Sequence, residues 1–474
     1  MTRMIHTVFP VPLCVVTLGL CMIAVACGEA NEDGQPVSTD SFVADTGTET
    51  DSAAAPEWEI ELVSDMAAGI QTRLVAGPDD MLGLTWFAND AFDDGLCDEI
   101  AVNPPTRLRQ RFYYGVKSGS ASPWTVEEVD SPVITLLPTG LSLAYSPDGL
   151  PTIAYTGGVP EGQFCGGNDA VLATRTATGW QFETAASESG DSQTGIVGSD
   201  EGMVVGLWPA LAYSASGEPA VVHKDAHFGA LQSIDLRKAD AEFAWRRGGG
   251  WIYEAIDANE GAGEPNALVF DGDTPIAVYG IPVETQQDSR KGVWAARRAD
   301  DGTWEEKIQL HEGAISTDIA AGINPVTGEL VVAFYSASDK AVRVRRLSDL
   351  SNFTNSLSWT SEIVTRALYD EGDYLSLAFT PQGKEVLAYH RCRLNSSTSD
   401  SCDQNDEAAL LAIRTDGVWR DEVITASAKG SCGEYTSVAV DSRGVAHVVY
   451  RCTENDGDQY YFRLFVASKE IEAQ

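Results

Sequence analysis

One pattern recurs along most of the chain: two runs of alternating apolar residues joined by a short turn rich in Gly, Asp or Pro. It is clearest in Leu141–Tyr155 and Tyr435–Tyr450, where the second run ends in tyrosine. Alternation with a period of two, broken by a tight turn, is typical of a β-hairpin. The pattern occurs seven times, and the other copies are Arg73–Trp86, Pro209–His223, Ala267–Tyr279, Ile319–Tyr335 and Leu375–Tyr389.

Two further apolar runs complete the repeating unit. A third run follows the hairpin, and several of these runs end in arginine, namely Arg175, Arg237, Arg297 and Arg414. A fourth run opens with tryptophan, at Trp124, Trp180, Trp251, Trp304, Trp359 and Trp419. Units of four short strands with loops of variable length are typical of β-propeller blades. We interpret the arginine series as a repeat feature that pairs one blade with the next.

The number of fourth runs indicates how the propeller closes. Seven hairpins are followed by only six tryptophan runs, and the last unit stops near Ser468 without one. The missing pattern stands before the first hairpin, in Trp58–Val63. We therefore predict an all-β fold over residues 57–470, a seven-bladed β-propeller of four-stranded blades whose last blade is completed by the N-terminal strand. Such closure removes an exposed sheet edge, and a pair of β-sandwiches would not explain the displaced strand.

The hairpins resemble the degenerate repeats of sialidase-like and other exported bacterial propellers, and the resemblance covers nearly the whole body. The full Asp-box pattern of those repeats, Ser-x-Asp-x-Gly-x-x-Trp, is not met. The turn at Ser146–Gly149 lacks the spacer, and the turns at Ser216–Gly217 and Gln382–Gly383 lack the aspartate. The resemblance therefore implies a fold and leaves the chemistry open.

The N-terminal segment is typical of an export signal. A short basic region at Arg3 is followed by an uncharged apolar run, Val8–Ala26. The run ends in Ala24–Gly28, which resembles the bacterial lipobox, and this resemblance implies that Cys27 is lipidated. We expect residues 1–26 to be a signal peptide and the mature protein to be held in the cell envelope, at the outer membrane, by its lipid. Ordinary signal cleavage with an incidental Cys27 is the alternative.

Charge sets the next constraints. Residues 27–56 carry seven acidic side chains and no basic one, which predicts an extended, disordered tether. The whole chain has 32 basic and 70 acidic residues, a formal net charge of −38. Such a surface repels nucleic acid and anionic membranes. We expect no nucleic-acid partner, membrane contact only through the lipid anchor, and a monomer.

Six cysteines lie in the body, and an even number in an exported protein predicts disulfides. We place all six in loops of one face, and pair Cys97 with Cys165, Cys392 with Cys402, and Cys432 with Cys452. A bridge from Cys392 or Cys402 to the last blade is the alternative.

Long loops on one face indicate where a ligand binds. Residues 87–105, 156–168, 280–291 and 391–407 follow second strands, and residues 188–208 join a fourth strand to a first. In a propeller these connections open on the same face, and rigidly mounted loops commonly carry binding residues. We expect this face to bind a protein or a glycan, with contacts near Trp86, Lys224, His390, Arg391 and Arg451. The aromatic residues at second-strand ends either rim this mouth or pack between blades.

Catalytic and metal-binding patterns are weaker. His223 and His227 are placed in a passage from strand to loop, so no metal site is predicted there, and no cofactor is expected. Acidic segments at residues 89–94, 400–407 and 454–458 could bind calcium but lack EF-hand spacing. The sequence favours a binding or scaffold protein over an enzyme. The alternative is a carbohydrate-active hydrolase or lyase, which two buried mouth carboxylates with perturbed pKa values would support.

The lipid anchor gives the first testable prediction. Replacing the acceptor in Cys27→Ser should release the protein into the aqueous phase of a detergent partition, because stable anchoring needs acyl chains. Cys21→Ser, inside the signal, is the matched control and should partition like the wild type. A Cys27→Ser protein that still partitions with detergent would contradict lipidation.

Overall fold

The structure is a computed structural model that describes residues 57–65, 68–88, 108–119, 122–134, 140–157, 168–187, 204–228, 234–258, 261–282, 290–304, 306–365, 370–392, 402, 407–426, 430–456 and 459–471. The signal, Cys27, the tether, Cys97 and Cys165 lie outside these residues. Within them, no helix combines the length and apolarity needed to cross a bilayer.

The described body is built almost entirely of strands. The first half contains β1 (Glu59–Ser64), β2 (Ala68–Ala76), β3 (Met81–Ala88), β4 (Leu108–Arg109), β5 (Phe112–Ser118), β6 (Thr125–Asp130), β7 (Val133–Ile134), β8 (Leu141–Tyr145), β9 (Pro151–Gly157), β10 (Asp169–Thr176), β11 (Gly179–Ala186), β12 (Val204–Tyr213), β13 (Pro219–Phe228), β14 (Ile234–Arg247) and β15 (Gly250–Asp257). The second half contains β16 (Asn266–Asp271), β17 (Thr274–Ile281), β18 (Gly292–Arg297), β19 (Glu306–Glu312), β20 (Ile315–Ile323), β21 (Leu330–Ser336), β22 (Ala341–Leu347), β23 (Trp359–Ile363), β24 (Asp370–Phe379), β25 (Glu385–Cys392), β26 (Ala408–Thr415), β27 (Val418–Ala426), β28 (Gly430–Val440), β29 (Val445–Asp456) and β30 (Gln459–Glu470). Short 3₁₀ turns occur at Pro78–Asp80, Leu350–Asn352 and Ser356–Ser358.

These strands form seven four-stranded antiparallel blades, as predicted. In order, blades one to seven are β2-β3-β5-β6, β8-β9-β10-β11, β12-β13-β14-β15, β16-β17-β18-β19, β20-β21-β22-β23, β24-β25-β26-β27 and β28-β29-β30-β1. The strands β4 and β7 form a separate small pair. The first strand of each blade packs against the first strands of the two neighbouring blades. The first strands therefore surround the central channel, and the fourth strands lie at the rim.

The predicted closure is confirmed. Strand β1 pairs with β30 in antiparallel register, from Glu59 opposite Ser468 to Ser64 opposite Leu464. The same strand is tied to the next blade, because the Lys117 ammonium on β5 donates to Glu61 Oε1 at 2.6 Å. The N-terminal strand thus completes blade seven and also contacts blade one.

The contact between Lys117 and Glu61 belongs to a repeated series. A cation at the end of a third strand pairs with a glutamate on the fourth strand of the preceding blade, in Lys117–Glu61, Arg175–Glu127, Arg246–Glu183, Arg298–Glu254, Arg414–Glu362 and Lys469–Glu422. Pairing between blades is therefore confirmed for Arg175 and Arg414. In blade four Arg298 makes the repeated ion pair, while Arg297 donates from Nη1 to the Leu350 carbonyl of blade five at 3.0 Å. In blade three Arg246 makes the ion pair, because β14 continues to Arg247. The glutamate position of blade four is occupied by Lys307, and the series is interrupted there.

Two of the predicted disulfides are present, Cys392–Cys402 and Cys432–Cys452, and the alternative bridge to blade seven is wrong. The placement of all the cysteines in loops is also wrong. Cys432 and Cys452 stand opposite each other on β28 and β29, which extend further along the chain than the hairpin pattern indicated. Disulfides of this kind are typical of an oxidising, extracellular environment.

The closing strand can be tested by truncation. Deleting residues 28–63, which removes Trp58 and all of β1 except Ser64, should lower the free energy of unfolding by roughly 3 kcal/mol or more, since a paired strand and a half-buried tryptophan are lost. Deleting residues 28–56 alone leaves β1 in place and is the control. The measurement is the midpoint of thermal unfolding, and two truncations that melt within a few degrees of each other would contradict the assignment.

Candidate functional site

The site begins with a backbone irregularity that recurs at one level of the first strands. Gln71, Trp208, Tyr374 and Tyr435 have φ values between 46° and 56°, and each lies where the register with the second strand shifts. Residues other than glycine rarely adopt this left-handed conformation, and a bulge changes the direction of a side chain. Blades one, three, six and seven therefore use the same bulge to place three aromatic side chains and one amide.

These residues form a continuous arc, which we call the mouth ring and define as Gln71, Gly140, Trp208, Tyr374 and Tyr435. Gly140 holds the equivalent position of blade two, with a φ of 128°. A Cβ on this glycine would lie 3.9 Å from Gln71 Oε1 and 4.0 Å from Trp208 Cα, so the three positions adjoin.

Hydrogen bonds between blades fix the ring. The Thr72 hydroxyl donates to the carbonyl of Tyr435, and the Thr436 hydroxyl donates to that of Tyr374. Two residues further along both strands, the amide of Leu74 donates to Ser437 Oγ at 3.0 Å. The bulge carbonyls of Tyr374 and Tyr435 are therefore held by the following blade. The carbonyl of Trp208 is held in the same way, since it accepts from Asn266 Nδ2 at 3.0 Å, so the three aromatic side chains start from a rigid backbone.

The ring is densest at blades six and seven. The rings of Tyr374 and Tyr435 lie 4.3 Å apart between centroids, inclined by 44°. The Arg451 guanidinium lies 4.7 Å from the centroid of Tyr435 and 5.2 Å from that of Phe462. Its Nε also donates to Glu434 Oε2 at 3.1 Å. This geometry combines a cation–π contact with an ion pair, so Arg451 is held against the tyrosine face.

The protonation states at this end follow from burial. Burial raises the pKa of the Tyr374 hydroxyl, and the neighbouring Tyr435 and Glu434 raise it further. Burial also raises the pKa of Tyr435, although the Arg451 charge opposes this effect. Burial lowers the pKa of His390 to about 4. Near neutral pH the two tyrosines are therefore protonated, and His390 is uncharged.

A second cation–aromatic pair lies at blades three and four. Lys224 is fully buried, and its ammonium lies 5.2 Å from the centroid of the Trp208 ring. Nζ donates to Glu264 Oε2 at 2.6 Å. The arrangement repeats the combination of aromatic ring, cation and glutamate found at Tyr435.

An ion pair crosses the central channel next to the ring. Arg73 Nη2 on the first strand of blade one lies 3.2 Å from Asp318 Oδ1 on that of blade five. Because these blades are not neighbours, the pair spans the channel and gives the mouth a polar floor.

The sequence-predicted binding residues separate into two groups. Arg451 and Lys224 contact ring aromatics, and Arg391 is half-buried on β25 beside His390. His390 itself lies behind Tyr374, with ring centroids 5.9 Å apart and an Nε2 that is buried without a hydrogen-bond partner. Trp86 is 1% exposed and packs in the core shared by blades seven and one. The second-strand aromatics are likewise buried, which supports packing between blades over a mouth rim.

Sequence reasoning missed the three ring aromatics. Aligning the hairpins by their second-strand aromatic residues places Trp208, Tyr374 and Tyr435 at one position, and that coincidence was the available signal. It passed unnoticed because nothing in the sequence marks a left-handed bulge at a bulky residue.

Two further groups bear on chemistry. Burial, together with the Asp421 charge, raises the pKa of the Glu371 carboxyl. A hydrolase would need a second carboxyl group that converges with it. Separately, β13 extends to Phe228. His223, Asp225 and His227 are every second residue of this strand, so their side chains lie on the same face. The expected passage from strand to loop at His227 is therefore wrong.

Comparison with known proteins yields structural likeness only. No protein-family model and no curated protein matches the chain. A protein of unknown function from Dyadobacter fermentans is 12% identical, with a TM-score of 0.42, over 86% of this chain and 97% of its own. The polysaccharide lyase Uly1 is 9% identical, with a TM-score of 0.46, over 84% and 90%. An α-L-arabinofuranosidase from Lactobacillus brevis is 13% identical, with a TM-score of 0.37, over 59% and 92%. At these values the likeness assigns no function.

The buried His390 predicts a pH dependence of stability. A histidine with a folded-state pKa of about 4 and an ordinary unfolded pKa contributes stability above about pH 6.5 that is lost as the pH falls toward 4, because the unfolded chain takes up the proton first. The loss amounts to roughly 3 kcal/mol. Urea unfolding between these pH values should show a shallower decline for His390→Gln than for the wild type. Parallel declines would contradict a neutral, buried His390.

Proposed function

We propose that the propeller is a glycan-binding protein that takes a neutral oligosaccharide at the mouth ring. The observation that carries the proposal is the repeated bulge, which directs Trp208, Tyr374 and Tyr435 from the same level of three blades. Binding sites combine apolar and aromatic surfaces with a few well-placed polar groups. The mouth ring has this composition.

The pairing of charges favours a hydroxyl-rich ligand. Arg451 with Glu434, and Lys224 with Glu264, each set a donor group and an acceptor group beside an aromatic ring. A sugar ring has an apolar C–H face and a rim of hydroxyl groups that both donate and accept. Aromatic stacking on the face and hydrogen bonds on the rim would use both features at once.

The charge balance favours a neutral ligand over an anionic one. Each ring cation is matched by a carboxylate within hydrogen-bond or ion-pair distance. The whole chain carries a formal charge of −38, which repels a polyanion at long range. A neutral oligosaccharide needs no unpaired charge and is not subject to this repulsion.

Rigidity supports recognition with little reorganisation. The ring backbone is fixed by hydrogen bonds between blades, and Arg451 is fixed by Glu434 and two aromatic rings. Groups that are ordered before binding lose little entropy when the ligand arrives. The lipid anchor and the outer-membrane location, which stay predictions, would display such a receptor on the envelope.

The test is a glycan array followed by titration of the best neutral ligand. Tyr374→Ala and Tyr435→Ala should each weaken binding about 2- to 13-fold, corresponding to roughly 0.5–1.5 kcal/mol per aromatic contact. Tyr253→Ala removes a tyrosine that is 48% exposed on the outer strand of blade three. It is the matched control and should bind like the wild type.

Other outcomes would redirect the assignment. Affinity that survives both tyrosine substitutions, or a preference for polyanionic glycans, would refute the neutral-glycan site. Capture of a protein ligand that those substitutions leave unchanged would also count against it. Shortened products from the bound oligosaccharide would support the carbohydrate-active enzyme instead, and Glu371→Gln would then be the first variant to examine.

A further inference from the structure

A buried cluster of carboxylates and imidazole lies on the face of blade three that packs against blade two. Asp225 and His227 are two residues apart on β13 and share one face, and Asp240 stands opposite Asp225 on β14. The three side chains are fully buried, and one candidate ligand atom from each lies within 4.8 Å of those of the other two. The cluster is separate from the mouth ring, because Lys224, between His223 and Asp225, points to the opposite face toward Trp208.

The distances in the cluster are long for a hydrogen-bonded triad, although one of them is within hydrogen-bond range. His227 Nε2 lies 3.2 Å from Asp240 Oδ1 and 3.4 Å from Asp225 Oδ2. One N–H group shared between two oxygens makes two weaker bonds, and good N–H···O bonds are nearer 2.9 Å. Two donors bound to Zn²⁺ at about 2.0–2.1 Å in a tetrahedron lie about 3.3 Å apart. The observed separations match this second geometry.

Several polar atoms around the cluster lack hydrogen-bond partners. Asp240 Oδ2 and His227 Nδ1 are buried and unpaired. His223, fully buried two residues before Asp225 on the same strand face, has both ring nitrogens unpaired. Buried polar atoms are nearly always satisfied, so such a group calls for a missing partner.

Charge points to the nature of that partner. Two buried carboxylates are costly in a low-dielectric interior unless positive charge offsets them. A divalent cation would balance both carboxylates and allow the imidazole to be neutral, as metal ligation requires.

We propose that Asp225, His227 and Asp240 bind a divalent transition-metal ion, and that Zn²⁺ suits the ligand set best. Imidazole nitrogen with carboxylate oxygen is a common zinc environment, whereas Ca²⁺ takes six to eight oxygens. Three protein ligands leave a fourth position. Because the ion would cross-link β13 and β14, it would stabilise the strand that carries Lys224 to the mouth ring.

Metal content is the first measurement. The full chain, purified without a histidine tag and dialysed against Zn²⁺ and then buffer, should hold about one Zn²⁺ per chain by elemental mass spectrometry. Asp240→Asn and His227→Gln should lose most of it. Asp257→Asn, which removes another fully buried carboxylate, and His311→Gln are the matched controls and should retain the metal.

Stability gives a readout that needs no variant. Chelation should lower the unfolding midpoint of the wild-type protein, and added Zn²⁺ should restore it, since an ion that binds only the folded state stabilises it. Cobalt substitution should give the visible absorption of a tetrahedral nitrogen–oxygen site. Wild-type protein that takes up no Zn²⁺, Co²⁺ or Mn²⁺, and that melts identically with and without chelator, would overturn the proposal in favour of a buried Asp–His⁺–Asp network.

Discussion

The fold depends on one piece of strand pairing, that of β1 with β30. Without it, blade seven would present an unpaired strand and blade one would lose the partner of Lys117. Closing the circle with the N-terminal strand places the two ends of the body in the same sheet, and the edge of blade seven is then the six-residue β1 instead of the twelve-residue β30. The remaining contacts between blades repeat around the propeller, which this pairing closes.

In the propeller, the contacts that stabilise the fold lie near the rim, and the residues that could give binding specificity lie near the axis. Near the rim, third-strand cations and fourth-strand glutamates repeat nearly unchanged from blade to blade, and tryptophan indoles such as that of Trp419 add a hydrogen bond to the same glutamate. Near the axis, the bulge of the first strand repeats as backbone, but its side chain varies from glycine to tryptophan. A constant frame with variable side chains at one level is a suitable basis for a binding site.

The two proposed sites use opposite faces of one strand. On β13, Lys224 faces blade four and reaches Trp208, whereas Asp225 and His227 face blade two and meet Asp240. Strand alternation makes this arrangement possible, because successive side chains point to opposite faces. An ion held on one face would therefore limit the movement of the lysine on the other.

The sequence by itself determined the seven blades, the closing strand, two disulfides and the existence of pairing between blades. These features follow from periodicity and counting, which are local properties repeated along the chain. It could not place Arg246 or Arg298 as the pairing residues, since strand ends depend on neighbouring strands. Only the tertiary structure decided that Tyr374 meets Tyr435 and that Asp225 meets Asp240. Such contacts join residues distant in sequence through the register of blades and a left-handed bulge, and no local pattern encodes either.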